Sequence, residues 1–289
     1  MNILKNIVKT NGHQDNRIKI LVVYHKPSTL FKNDIFVPIH AGRAVASKNS
    51  KDGQNSKKDI KWLMNNLIGD DTGENISYKN REWCELTAIY WAWKNYDKLE
   101  NPDYIGLMHY RRIFKYNKIS QLKKIILDND IIMPQKYDLV RRGTLSPYQH
   151  YKRGKMNHIE DYEKVLDIVR KKYIGYDEAI DTYNNSQYAY FCNMFIMKKE
   201  LFFNYCEWLF NILNSAEQEI DITNYDIQEK RALARIAEWL LGIYYTNILI
   251  NKKNNNLKTT EIPVITLNDT SVSKNKILDI IRKIRALYF

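Results

Sequence analysis

Short runs of β-branched and aliphatic residues recur along this chain, and most are followed by a stretch with helical periodicity. Ile18 to Tyr24 (IKILVVY) lies between polar Asp15-Asn16-Arg17 and His25-Lys26-Pro27, and reads as a buried first strand. Ile35–Ile39, Tyr104–Met108, Ile131–Met133, a strand within Tyr188–Met197, and Ile262–Leu267 continue the series. Between them, Leu86, Ile89, Tyr90 and Trp93 mark a helix over Glu82–Tyr96, with Asn80 as its N-cap. Ile119–Leu127, Ile159–Tyr173, Leu201–Asn214 and Ile227–Asn247 carry the same 3.6-residue pattern. Ala46–Asp59 is polar and aperiodic, and reads as a loop. Strands alternating with helices predict an α/β fold with a central, mostly parallel sheet flanked by helices. No internal repeat, low-complexity tract or Pro/Gly/Ser-rich linker cuts the chain. The expected organisation is one domain over 1–270, followed by a basic amphipathic helix over 271–289.

With 289 residues, 44% of them hydrophobic, the chain can bury a sizeable core, and wholesale disorder is excluded. No apolar run reaches the length of a membrane span. Met1–Gln14 lacks the continuous apolar core of a secretory signal, and Cys84, Cys192 and Cys206 form no disulfide framework. Both features lead to the expectation of a cytoplasmic protein. Lys plus Arg is 45 against 33 Asp plus Glu, a net charge of +12. Two readings fit this excess: an anionic partner, or the codon bias that also enriches Lys, Asn, Ile and Tyr. A basic nucleic-acid-binding protein is the alternative reading of this charge, but the recurring basic-aromatic modules of such proteins are absent, so no nucleic-acid partner is expected.

In open α/β sheets, ligands bind beyond the carboxyl ends of the strands. Two strand ends here carry concentrated polar chemistry: Tyr24-His25-Lys26 and His109-Tyr110-Arg111-Arg112. Adjacent guanidinium groups suit the oxygens of a diphosphate, although an arginine pair is also an ordinary surface feature. Asp128-Asn129-Asp130 has the D-x-D spelling of metal-dependent sugar-nucleotide enzymes, but it precedes its strand and so falls on the wrong sheet edge. No zinc spacing, P-loop, dinucleotide fingerprint or nucleophile elbow occurs. Two carboxylates sit inside helical apolar patterns: Glu85, and Glu238 seven residues after Arg231 on the same face. Each is either a general base or a carboxylate at the edge of an apolar stripe, paired with a cation.

Read together, longer motifs are more specific. They are Asn75–Asn95 (NISYKNREWCELTAIYWAWKN), Gly106–Arg112 (GLMHYRR), His25-Lys26, Pro38–Gly42 (PIHAG) and Asn193–Met197 (NMFIM). They resemble a bacterial family of capsular and exopolysaccharide glycosyltransferases, long described only as a domain of unknown function, whose characterised type transfers galactofuranose from UDP-galactofuranose. The resemblance spans about Lys19 to Val264. It implies a GT-A-like fold and activity as a UDP-sugar-dependent hexosyltransferase in surface polysaccharide synthesis, with a lipid-linked glycan acceptor. The family pattern carries over to His25, Lys26, Gly42, Asn80, Thr87, His109, Arg111, Arg112, Asn193 and Arg231, taken as donor-binding, and to Glu85 and Glu238 as catalytic candidates. Where the family has a glycine and a second arginine in its last helical motif, this chain has Ala234 and Trp239.

The two lines of reading meet at Arg111-Arg112, which stand where a GT-A enzyme normally carries D-x-D. Cations there would neutralise a departing UDP without metal, so no cofactor is expected, with Mn or Mg as the alternative. Glu238 is the first choice of base for an inverting transfer and Glu85 the second. In the tail, Lys274, Lys276, Arg282, Lys283 and Arg285 alternate with apolar residues. That helix either lies on an anionic membrane surface, making the protein peripheral at the inner face, or packs on the domain.

Overall fold

All seven residues of β1 (Ile18–Tyr24) are buried, as expected of a strand covered on both faces. The structure, a computed structural model, describes residues 17–251 and 256–267. After β1 come β2 (Phe36–His40), α1 (Lys57–Asn66) and β3 (Ile68–Gly69), then α2 (Asn80–Trp83), α3 (Leu86–Lys94), β4 (Tyr104–His109) and β5 (Arg112–Phe114). The chain continues through α4 (Ile119–Leu127), β6 (Ile131–Pro134), β7 (Tyr137–Asp138), α5 (Pro147–Arg153), α6 (Ile159–Lys172) and α7 (Asp177–Asn185). It closes with β8 (Tyr188–Ala189), β9 (Phe195–Lys198), α8 (Lys199–Glu219), α9 (Ala232–Ile250), β10 (Thr259–Ile262) and β11 (Val264–Thr266).

The sheet runs β10-β6-β9-β4-β1-β2-β3, with β5 attached to β4 and β11 to β5. β1 is parallel to both β2 and β4, β2 to β3, and β6 to β10. β9 runs antiparallel to β4 and to β6, so those two neighbours point the same way. The carboxyl ends of β1, β2, β4 and β6 therefore share one sheet edge, and the turn entering β9 arrives at it. Alternation along β1 divides the core. Leu21 and Val23 face a cluster built with α3, α6, α8 and α9. Ile18, Ile20, Val22 and Tyr24 face one that includes Leu63 of α1 and Leu122 and Ile126 of α4.

Several elements differ from the sequence expectation, each for a local reason. The helix expected over Glu82–Tyr96 is broken at Cys84, whose φ is 48° and ψ −129°. Asn80 is not its N-cap but the first residue of α2, and its amide donates across the break to Cys84 O and Thr87 Oγ1 (2.7 and 3.2 Å). The polar segment read as a loop to Asp59 already turns helical at Lys57, because Ser56 and Asp59 form a capping box. The expected last strand, Ile262–Leu267, holds β11 and only the final residue of β10, which begins earlier, at Thr259; Pro263, lacking an N–H for the ladder, separates the two, and they pair on different neighbours. Cys192 and Asn193, at φ 77° and 47°, bend the Tyr188–Met197 segment into two short strands. The predicted helix over 271–289 lies outside the described residues.

Candidate active site

A cleft of about 620 Å³ opens at the shared carboxyl edge of the sheet. Its floor comes from the ends of β1, β2 and β4, and its walls from the Ser50–Asn55 loop, α2, the turn before β9, and the start of α9. Of the residues singled out from sequence, His25, Gly42, Asn80, Glu85, His109, Arg111, Arg112, Arg231 and Glu238 line it. Lys26, Thr87 and Asn193 are not among its lining residues.

A carboxylate overlooked in the sequence holds one wall together. Asp70 is fully buried, and its two oxygens accept four hydrogen bonds. Gly42 N–H and Thr87 Oγ1 donate to Oδ2 (2.7 and 2.6 Å), while Arg43 N–H and Ser77 Oγ donate to Oδ1 (3.1 and 2.5 Å). Burial still pushes its carboxyl above the usual range. Thr87 thus anchors a structural carboxylate beneath the cleft. Gly42 is at φ 73°, and a Cβ there would lie 2.3 Å from Asn80 Cγ, so both backbone and space require glycine. Asp70 sits in a turn-rich segment with no periodic signal, and its role exists only once Gly42, Ser77 and Thr87 meet.

One turn organises the end of the cleft that holds the two glutamates. Cys192 N–H donates to Glu238 Oε2 (2.7 Å), and Cys192 O accepts from His109 Nε2 (2.7 Å). Asn193, fully buried, donates from Nδ2 to Glu85 Oε1 (2.8 Å). Two carboxylates and an imidazole, far apart in sequence, are therefore aligned by a single left-handed pair of residues. Because a carbonyl only accepts, His109 carries its proton on Nε2 and keeps a lone pair on Nδ1. Burial holds His109 below its ordinary pKa, against the pull of Glu85. Glu238 is pushed up to about 7, first by burial and then by the charge of Glu85; the Cys192 N–H, Arg112 and Arg231 work in the other direction. A carboxylate poised near neutrality is suited to taking a proton.

The cleft is otherwise cationic: Lys51, Arg81, Arg111, Arg112 and Arg231 face Asp52, Glu85 and Glu238. The Arg111 guanidinium lies 5.1 Å from the centroid of the Tyr110 ring, which stacks on Tyr24. His25 Nε2 stands 3.3 Å from Asp52 Oδ2, and that contact, with Lys51, holds Asp52 well below the usual carboxylate range. Lys26 reaches only the backbone of Asp52, at 3.5 Å. Arg231 Nε donates to Cys84 Sγ (3.0 Å), tying the helix break to α9. His40, Asp52 and Arg81 line the cleft without having been chosen from sequence; His40 and Arg81 both fall inside the motifs that carried the family resemblance.

Asp130 lies at the amino end of β6, at the opposite sheet edge. It pairs with Lys198 Nζ (2.5 Å) and accepts Lys258 N–H (2.6 Å), which is a structural assignment. Among the described residues no group of three or more His, Cys, Asp or Glu is arranged to hold a metal ion, and no helix is long and apolar enough to cross a membrane.

A family model described as a domain of unknown function, DUF4422, matches residues 19–252. The apo structure of the WbbM bifunctional glycosyltransferase superimposes with a TM-score of 0.73 and 34% sequence identity, over 91% of this chain and 48% of that one. This chain thus spans about half the length of that protein. The mannosyltransferase Ktr4p from S. cerevisiae aligns over 80% of this chain and 69% of its own, at 11% identity and a TM-score of 0.28, a likeness too weak to carry an argument. No curated protein matches in sequence.

Proposed function

The chain belongs to the DUF4422 family, and from that premise we propose that it is a glycosyltransferase of surface polysaccharide synthesis, transferring a sugar from a nucleotide-sugar donor to a glycan acceptor. The observation that carries the proposal is Glu238, held near neutrality beside Glu85, in a cleft that also presents Arg111 and Arg112. The likeness to WbbM supports the same reading. In finer detail the donor is a UDP-sugar, with galactofuranose the first candidate from the family resemblance, and the acceptor is lipid-linked.

The step we propose is a single displacement with inversion. The acceptor hydroxyl oxygen bonds to the anomeric carbon as the bond from that carbon to the diphosphate oxygen breaks. The hydroxyl proton passes to the Glu238 carboxylate, and both electrons of the broken bond leave with UDP. Arg111 and Arg112 stabilise the charge that grows on the diphosphate. Glu85, oriented by Asn193, keeps Glu238 basic; it is the second candidate for the base. His109 is a binding residue whose Nδ1 lone pair is open to a substrate hydroxyl. In this scheme the arginines take the place of a metal, and chelation leaves activity intact. The test is UDP release and acceptor extension by the wild-type protein and by Glu238→Gln. Loss of extension with UDP still bound supports the assignment; full activity in the variant overturns it.

A further inference from the structure

We propose that His40 reads the nucleoside of the donor, its Nδ1 hydrogen-bonding a base or ribose group of the bound nucleoside diphosphate. The inference rests on the nucleotide-sugar reading above and goes beyond it, because nothing there assigns a residue to the nucleoside. His40 is 1% exposed and lines the cleft. Its Nδ1 is buried without a hydrogen-bond partner. A polar atom left in that state is costly, and buried polar groups are nearly always paired. An unpaired one at the wall of a cleft is paired when the cleft is filled.

Three further observations favour a nucleoside over any other part of the ligand. The first is position. His40 ends β2, in register with Tyr24 of β1, while Arg111 and Arg112 follow the end of β4 on the far side of β1. Adjacent strands lie about 4.8 Å apart, so His40 stands roughly 10 Å along the sheet edge from the end of β4, which the arginine pair follows. That offset matches the reach from a diphosphate to its ribose and base. The second is charge. Burial, with Arg43, His25 and Arg81 nearby, pushes the His40 imidazole down to about 3, so the ring is neutral. A neutral ring contributes one N–H and one lone pair, the chemistry of a base edge or a ribose hydroxyl, and it brings no positive charge to a phosphate. The third is rigidity. His40 O accepts Asp70 N–H (3.3 Å), and the next turn is clamped through Gly42 and Arg43 onto the Asp70 carboxylate. The backbone that carries the imidazole is thus held in place before ligand arrives, which lowers the cost of ordering this wall on binding.

The experiment compares UDP with inorganic pyrophosphate by titration calorimetry on the full chain, for wild type, His40→Leu and His40→Asn, with ligand-free melting temperatures alongside. Leucine fills similar space without a polar atom; asparagine keeps one near the Nδ1 position. His40→Leu should lose about tenfold or more in UDP affinity, the consequence of leaving a ligand group unpaired, while pyrophosphate affinity stays within about twofold. His40→Asn should hold UDP within about threefold of wild type. The ligand-free melting temperature of His40→Leu should stay level or rise, since an unpaired buried polar atom has been removed. Equal UDP affinity in wild type and His40→Leu overturns the inference. So does a parallel loss of UDP and pyrophosphate binding with a lower melting temperature, the signature of a packing role. UDP binding no tighter than pyrophosphate in the wild type overturns the inference and leaves a diphosphate site standing. If the wild type binds neither, the nucleotide-sugar reading falls with it.

Discussion

Replacing Glu238 by glutamine tests the electrostatics of the cleft and the proposed chemistry in one protein. The amide is nearly isosteric, and its oxygen can still accept the Cys192 N–H that Glu238 Oε2 accepts at 2.7 Å. What changes is the ability to ionise. The Glu238 carboxyl is raised from 4.5 to about 7, so between those pH values the folded protein binds more protons than the unfolded chain. Stability contributed by this site is therefore level below pH 4.5, falls as pH rises, and is fully lost above about 7. The displacement corresponds to on the order of 3 kcal/mol, and partial exposure of the side chain to water reduces that to ~1–2 kcal/mol. Glu238→Gln removes this penalty. Its melting temperature should match wild type at pH 5 and exceed it at pH 8 by roughly 3–6 °C. Turnover should fall by about 10²–10⁴-fold, as for loss of a general base. The wild-type rate should climb as pH passes about 7, and the variant's residual rate should not follow it. Calorimetric melting at both pH values and a UDP-release assay read these effects. A variant no more stable than wild type at pH 8, with turnover intact, would refute both the burial argument and the assignment of the base.

The arginine pair is tested by Arg111→Ala and Arg112→Ala, each of which should lower turnover by about 100-fold or more, with chelation leaving wild-type activity intact. Lysine at either position should rescue poorly because it lacks the planar fork. Restoration of chelated enzyme by manganese would contradict the metal-free reading. Asp70→Asn exchanges one acceptor oxygen for an amide facing two of the four donors, and should cost about 2–3 kcal/mol in denaturant melts; an unchanged midpoint would show that the wall does not depend on this carboxylate. Deleting 274–289 should reduce sedimentation with anionic liposomes, and unchanged sedimentation would leave that segment a packing role alone.

What could be read from the sequence was what local pattern dictates. β1 is legible because a strand buried on both faces must be apolar at every position, and α4 because Leu122 and Ile126 fall on one helical face. The break at Cys84 is not legible, since the apolar spacing runs through it; it is made by Asn80 reaching over to Cys84 O and Thr87 and by Arg231 on the Cys84 sulfur. Pro263 and the Ser56–Asp59 capping box were local signals present in the sequence and outweighed by the apolar and polar runs around them. The site follows the same division. Strand-end position marked His25, His109, Arg111 and Arg112 as candidates. The link from His109 through Cys192 to Glu238, and the clamp by Asp70, join residues tens of positions apart and exist only in the fold.

The central claim, transfer of a sugar from a nucleotide-sugar donor, is met most directly by incubating the protein with a panel of UDP-sugars, UDP-galactofuranose included, and a lipid-linked glycan acceptor, and weighing the products. The account predicts an acceptor heavier by one hexose, formed with release of one UDP per transfer and with the new linkage inverted relative to the donor. Retention of configuration would contradict the single displacement on Glu238, and an acceptor left unextended with every nucleotide-sugar donor would contradict the function itself.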